Sequence, residues 1–248
     1  MDWRDEGILL TARRHGESTA IVEVLTLAHG RHAGVVRGGA GRRLAPVLQP
    51  GSRLSLEWSA RIEEHIGTFR VDPIGAQTTA AIMADAAALA TLGAVTSLIV
   101  ATLPERDAHP DLYQRSREVI EALGTKLDWT ARYAAWEMAL LAELGFGLDL
   151  RTCAVTATHD DLVWVSPRSG RAVSRAAGAP WADRLLPLPT FLRDGWNSPP
   201  KPADVAAGLA LTGFFLEERV APGLPRETLP AARARAVAAI SRMVSSGR

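Results

Sequence analysis

From Leu54 to Trp58 apolar and polar residues alternate one for one, Leu-Ser-Leu-Glu-Trp, which predicts a strand with one buried face. The same short-strand grammar fills the first 75 or so residues. Gly7–Arg13 is an apolar run of strand length, Arg14–Ser18 reads as a turn, and Thr19–Leu27 is β-branched enough for a second strand. Gly30 turns the chain into a third strand, Arg31–Arg37, and Gly38, Gly39 and Gly41 punctuate a loop. A last strand falls near Ile66–Val71. Five short strands with one glycine-rich loop predict a small closed barrel of the oligonucleotide-binding (OB) type, although the alternation alone also suits an SH3-like barrel.

After Pro73-Ile-Gly the period changes. Ile82, Ala86, Leu89, Ala90, Val95, Leu98 and Ile99 recur at helical spacing, and Pro104 ends that run. Further helices are expected near 110–123, around Tyr133, Trp136, Leu140 and Leu144, and over about 203–220 and 228–243. Residues 149–178 are irregular, with a short hairpin formed by Leu162–Val165 and Arg171–Val173 around Ser166-Pro-Arg-Ser-Gly. The apolar stretch 185–192 is broken by prolines. The pattern therefore predicts an α+β chain with two domains: a barrel over 1–76, and a mostly helical domain over 77–248 that carries the insert 149–178.

Composition is that of an ordinary globular chain of 248 residues, 47% hydrophobic and 22% charged, with a net charge of +1. That near-neutrality hides a segregation. Between Gly7 and Ser55 seven arginines face only Glu17 and Glu23, whereas Gln77–Phe146 holds nine acids against five bases. The single cysteine, Cys153, excludes an intramolecular disulfide and fits a reducing compartment. The charged start, Met-Asp-Trp-Arg-Asp-Glu, does not read as a signal peptide. The alanine-rich run Thr79–Leu103, interrupted by Asp85, reads as a buried helix rather than a membrane span.

The basic segment carries the candidate chemistry. Arginine pairs bidentately with phosphate, and several arginines on one barrel face would release counterions from a polynucleotide. The candidate DNA-binding residues are Arg13, Arg14, Arg31, His32, Arg37, Arg42, Arg43 and Arg53. Aromatic residues are sparse there, so backbone tracking is expected rather than base readout. Gly38-Gly-Ala-Gly-Arg-Arg lacks the Gly-Lys-Ser/Thr ending of a phosphate-binding loop, and Ser166-Pro-Arg-Ser-Gly is not a nucleophile elbow, so no catalytic residue and no cofactor is expected. Cys153 and Thr156, with Ser174 and Ala177, have the spacing of a two-knuckle zinc site but only one thiolate, so no metal is expected either. Arg132, Trp136 and Leu140 share a helix face and could hold the carboxylate end of a partner peptide, or could simply be core with a snorkelling arginine. The last helix carries Arg226, Arg233, Arg235, Arg242 and the terminal Arg248 as a further basic face.

Several stretches occur together and in order: Asp5-Glu-Gly-Ile-Leu-Leu, Gly30-Arg-His-Ala-Gly-Val-Val-Arg-Gly, Leu48-Gln-Pro-Gly, Leu144-Gly-Phe-Gly-Leu-Asp-Leu, Cys153-Ala-Val-Thr, and Val165-Ser-Pro-Arg-Ser-Gly-Arg-Ala-Val. With these the chain resembles the RecO family of bacterial DNA repair and recombination mediators along nearly its whole length. The resemblance implies an OB domain on a helical body with a zinc-finger-like insert, and no enzymatic turnover. It implies binding of single- and double-stranded DNA, annealing of complementary strands, contact with the acidic C-terminal tail of single-stranded DNA-binding protein, and joint action with RecR in loading RecA. A cytoplasmic, nucleoid-associated protein is expected. Two other readings remain open: a protein-interaction adaptor whose barrel docks peptides, and an RNA-binding OB protein.

Overall fold

A computed structural model describes residues 1–62, 65–75 and 79–245, so the expected domain boundary at 76/77 lies outside the described residues. Five strands form a closed barrel in the order β1-β2-β3-β5-β4. They are β1 (Asp2–His15), β2 (Thr19–Thr26), β3 (Gly30–Val36), β4 (Arg53–Ser59) and β5 (Gly67–Pro73). All pairs are antiparallel except β3 with β5, where Gly34–Val36 run parallel to Gly67–Phe69. That order, with a single parallel closure, is the OB arrangement and not an SH3-like one.

Strand β1 is longer than the sequence pattern predicts. Its first half, Asp2–Ile8, pairs with β4, and its second half, Gly7–His15, pairs with β2, with a register shift between Leu9 and Thr11. Trp3 is the only apolar side chain among residues 2–6, so alternation has nothing to mark there. The inward rows close the barrel around Leu9, Val22, Val24, Leu54, Leu56, Trp58 and Phe69. Trp58 and Phe69 are each 2% exposed. Truncating a buried aromatic of that kind costs about 3–5 kcal/mol.

The first predicted helix is two helices. Asp85 breaks the run after α1 (Thr79–Ala84) and caps α2 (Ala86–Thr102), its carboxylate accepting from the Ala87 and Ala88 N–H groups at 2.8 and 3.1 Å. Helix α3 (Pro110–Ala122) starts on a proline, whose missing N–H costs nothing at that position. Residues 1–124 together with 230–236 form one compact unit; residues 125–229 with 237–248 form a second.

In the second unit α4 (Trp129–Glu143) packs on α7 (Pro202–Phe215), where Thr212 donates to the buried Glu137 carboxylate at 2.5 Å. The insert's hairpin, β6 (Leu162–Val165) and β7 (Ala172–Ser174), joins β8 (Leu186–Pro187), which follows the insert, in a three-stranded sheet of order β7-β6-β8. Between β7 and β8 lies the one-turn α5 (Arg175–Gly178), and after β8 the short α6 (Thr190–Asp194). The third strand falls on the proline-broken stretch. Its prolines are tolerated because β8 is an edge strand of two residues. Helix α7 runs into one π-helical turn, Leu216–Val220, so the segment expected as a single helix to 220 changes its winding at Leu216. The last helix is α8 (Ala231–Ser245). Among the described residues no helix is long and apolar enough to cross a membrane.

Candidate nucleic-acid interface

Five of the predicted arginines cluster at one end of the barrel. Arg13 and Arg14 stand near the tip of the β1–β2 hairpin, and Arg14 donates to the carbonyls of Gly16 and Glu17 at 3.3 and 2.9 Å. Arg37, Arg42 and Arg43 lie in the loop that leaves β3. A backbone hydrogen bond joins the two segments, the Ala40 N–H donating to Ser18 O at 3.1 Å. The loop is tied down elsewhere too. Gly41 N–H donates to Gly38 O at 2.9 Å, and Leu48 is 4% exposed in the barrel core. Gly39 sits so close that a Cβ there would lie 2.8 Å from Ala20 Cβ and 3.0 Å from Leu48 Cδ1; only glycine lets the loop lie down on the hairpin. All five arginines are exposed, and among the described residues none of them pairs with a carboxylate.

The other three predicted residues are buried or paired with carboxylates. Arg31 is only 14% exposed and is consumed internally. Its Nη1 reaches Glu23 at 2.8 Å and Glu105 at 3.4 Å, and its Nε donates to Leu103 O at 3.0 Å. Arg53 lies between Glu6 at 3.1 Å and Glu121 at 3.3 Å. His32 points inward and is 4% exposed, with the rings of Trp58, Trp3 and Phe69 edge-on around it at 4.8, 5.1 and 6.3 Å. Burial, reinforced by the nearby charges of Arg106 and His29, lowers its pKa to about 4. A neutral, enclosed imidazole offers a polyanion nothing.

The barrel also carries a groove of about 710 Å³ that holds two of the loop arginines, Arg37 and Arg43. Arg4 and Arg70 line it as well. Both lie outside the arginine-dense segment Gly7–Ser55, so charge density along the sequence does not report them. Trp3 is the aromatic of this groove that is not fully buried, but its ring is already sandwiched. His29 stacks on it at 4.1 Å and Trp58 at 5.6 Å. That leaves phosphate contact as the chemistry of the face.

In the second unit the partner-peptide triad comes apart. Trp136 is 2% exposed and Leu140 fully buried, so both are core, packed for fit rather than display. Arg132 alone reaches a surface pocket of about 420 Å³. It pairs with Asp128 at 2.8 Å and lies 5.9 Å from the centre of the Trp196 ring, whose Nε1 also donates to Asp128 at 2.9 Å. Burial pushes the Asp128 carboxyl up, but the hydrogen bonds from Arg132 and Trp196 outweigh it, and the group titrates below its ordinary value. Trp196 was missed; an aromatic two residues before Ser198-Pro-Pro was the available signal.

The insert has no donor set for zinc. The Cys153 thiol donates to Ser174 Oγ at 3.5 Å and accepts from the Ser174 N–H at 3.3 Å, and Thr156 and Ala177 bring no thiolate. Burial raises the Cys153 pKa, but the hydrogen bonds from Thr156 and Ser174 together bring it down to about 6. Among the described residues no cluster of three potential metal ligands exists. On α8 the basic face shrinks, because Arg233 is 6% exposed and Arg226 precedes the helix; Arg235 and Arg242 are exposed, and Arg248 lies outside the described residues.

A closed five-strand barrel with a cationic edge, followed by a helical region with a small sheet, makes this an OB-type barrel protein. Two family models match it: "Recombination protein O N terminal" over residues 1–76 and "Recombination protein O C terminal" over residues 83–227. A DNA repair protein RecO of Cereibacter sphaeroides is 52% identical over 242 residues, covering 98% of this chain and 99% of that protein. A RecO of Jannaschia sp. is 50% identical over 247 residues, with 100% and 99% covered. The chain belongs to the RecO family, the DNA repair and recombination proteins of the RecF pathway, which act without enzymatic turnover.

Proposed function

We propose that residues 1–76 capture DNA by its phosphates at the end of the barrel where Arg13, Arg14, Arg37, Arg42 and Arg43 converge, and that residues 77–248 dock partner proteins. The observation that supports this is the Ala40-to-Ser18 hydrogen bond, which brings the backbone of the arginine-bearing loop against the arginine-bearing hairpin tip. With the two segments joined, guanidiniums from both can neutralise phosphates with little regard to base, whether the DNA is single- or double-stranded. Annealing follows from the same surface, because two complementary strands repel each other less when both lie against positive charge.

The loading of RecA, joint work with RecR and contact with the acidic tail of single-stranded DNA-binding protein belong to the same reading, as does residence at the nucleoid. For the tail, the Arg132–Trp196 pocket is the candidate seat, a carboxylate there competing with Asp128 for the guanidinium. The adaptor and RNA-binding readings have no specific observation in their favour.

The test is Arg42→Ala with Arg43→Ala. Single-strand binding should weaken similarly for all sequences, and the salt slope should flatten by about 1.4, two contacts of about 0.7 each. An unchanged slope would place the DNA elsewhere.

A further inference from the structure

Arg4, Glu57 and Arg70 stand opposite one another across three strands. Arg4 on β1 is in register with Glu57 on β4, and Glu57 with Arg70 on β5. Directly opposed residues in adjacent strands share a face, so the three side chains form one outward row. Glu57 takes Arg4 at 2.7 Å and Arg70 at 3.8 Å. Both arginine side chains remain largely in water, 81% and 86% exposed. The row lines the same groove as Arg37 and Arg43, so it continues the cationic surface away from the loop.

Resting on the DNA-binding reading, we infer that Arg4 and Arg70 are a second phosphate-binding station, and that Glu57 is a displaceable counter-charge that holds both guanidiniums ready. The ligand class is the phosphodiester backbone of a single strand leaving the loop arginines. Ion pairs as exposed as these contribute little to stability, so exchanging the Glu57 carboxylate for phosphate costs little. A phosphate offers the guanidinium fork the same two-oxygen geometry that the carboxylate does. Asp2 and Asp72 also line the groove, so four guanidiniums face three carboxylates. Glu57 is the carboxylate bonded to the row, and it sets whether the row attracts or repels a strand. The carboxylate thereby limits affinity, keeping this part of the track weak enough for a strand to be passed on.

Two variants test this in the full chain, by anisotropy of a labelled oligothymidine over a salt series, with circular dichroism to confirm folding. Arg4→Ala with Arg70→Ala should weaken binding and flatten the slope by about 1.4. Glu57→Gln, which keeps the shape and removes the charge, should tighten binding several-fold. A control, Arg151→Ala with Arg168→Ala, removes the same net charge from exposed positions in the insert region and should leave the slope in place. If Arg4/Arg70 truncation leaves the slope unchanged while Arg42/Arg43 truncation flattens it, this inference falls and the loop reading stands. If neither flattens it, both fall. Equal flattening by the control, or no tightening by Glu57→Gln, also overturns the second station.

Discussion

His32 makes the barrel sensitive to acid in a way that can be measured. In the folded barrel its pKa is held at about 4, against 6.5 for a free imidazole, because burial among Trp3, Trp58 and Phe69 penalises the charged ring. Well above pH 6.5 neither the folded nor the unfolded chain protonates it, and the barrel keeps its full stability. Below that, the unfolded chain takes a proton the folded one refuses, so stability falls as the pH drops from 6.5 towards 4. A separation of about 2.5 units is worth about 3 kcal/mol in all, of which about 2 kcal/mol is lost by pH 5. The assay is urea unfolding followed by tryptophan fluorescence at pH 7.5 and pH 5, comparing the parent with His32→Leu. Leucine lowers stability at both pH values by whatever packing it loses, but removes the titration, so its drop between the two should be smaller by about 2 kcal/mol. Other titrating groups cancel in that comparison. An equal drop in parent and variant would refute the reasoning.

Two further outcomes follow from the partners of Arg31 and Cys153. Arg31→Ala leaves Glu23 half-buried without its cation, and should destabilise the barrel by about 1–3 kcal/mol while leaving the salt slope of DNA binding unchanged; a slope flattened by about 0.7 would return Arg31 to the interface. The Cys153 donor set predicts that a strong chelator leaves the thermal midpoint unmoved and that the purified protein carries no stoichiometric zinc; a midpoint that falls on chelation would show metal ligation after all.

The barrel was legible because its inward positions announce themselves. Leu54, Leu56 and Trp58 alternate with Ser55 and Glu57, and Gly30, Gly39 and Gly41 mark where strands give way to turns. The start of β1 was not legible, since its half-buried positions, Trp3 and Asp5, sit in a run that reads as charged. The site was half legible for a related reason. Arg31 and Arg42 look alike in the sequence. What separates them is Glu23, eight residues away across the β2–β3 hairpin, together with Leu103 O, 72 residues away, and Glu105, 74 residues away, and no local pattern reports the last two. Arg53 was lost in the same way to Glu121, 68 residues on. Helix positions Trp136 and Leu140 showed a shared face but not which way it turned. An apolar stripe is core far more often than display, and here it is core.

The divided pairing of β1 governs the order in which the barrel can be made. The half that pairs with β2 finds its partner within a few residues, so a hairpin can form as soon as Thr26 is available. The other end, Asp2–Glu6, has no strand neighbour until Arg53–Ser59 has been synthesised, and the seam it then closes joins the earliest residues to some of the latest in the barrel. During translation that end is an unsatisfied strand edge, open to any other extended chain nearby. The slow event in forming this barrel is therefore its closure, and substitutions along the β1–β4 seam should retard folding more than those in the β1–β2 hairpin.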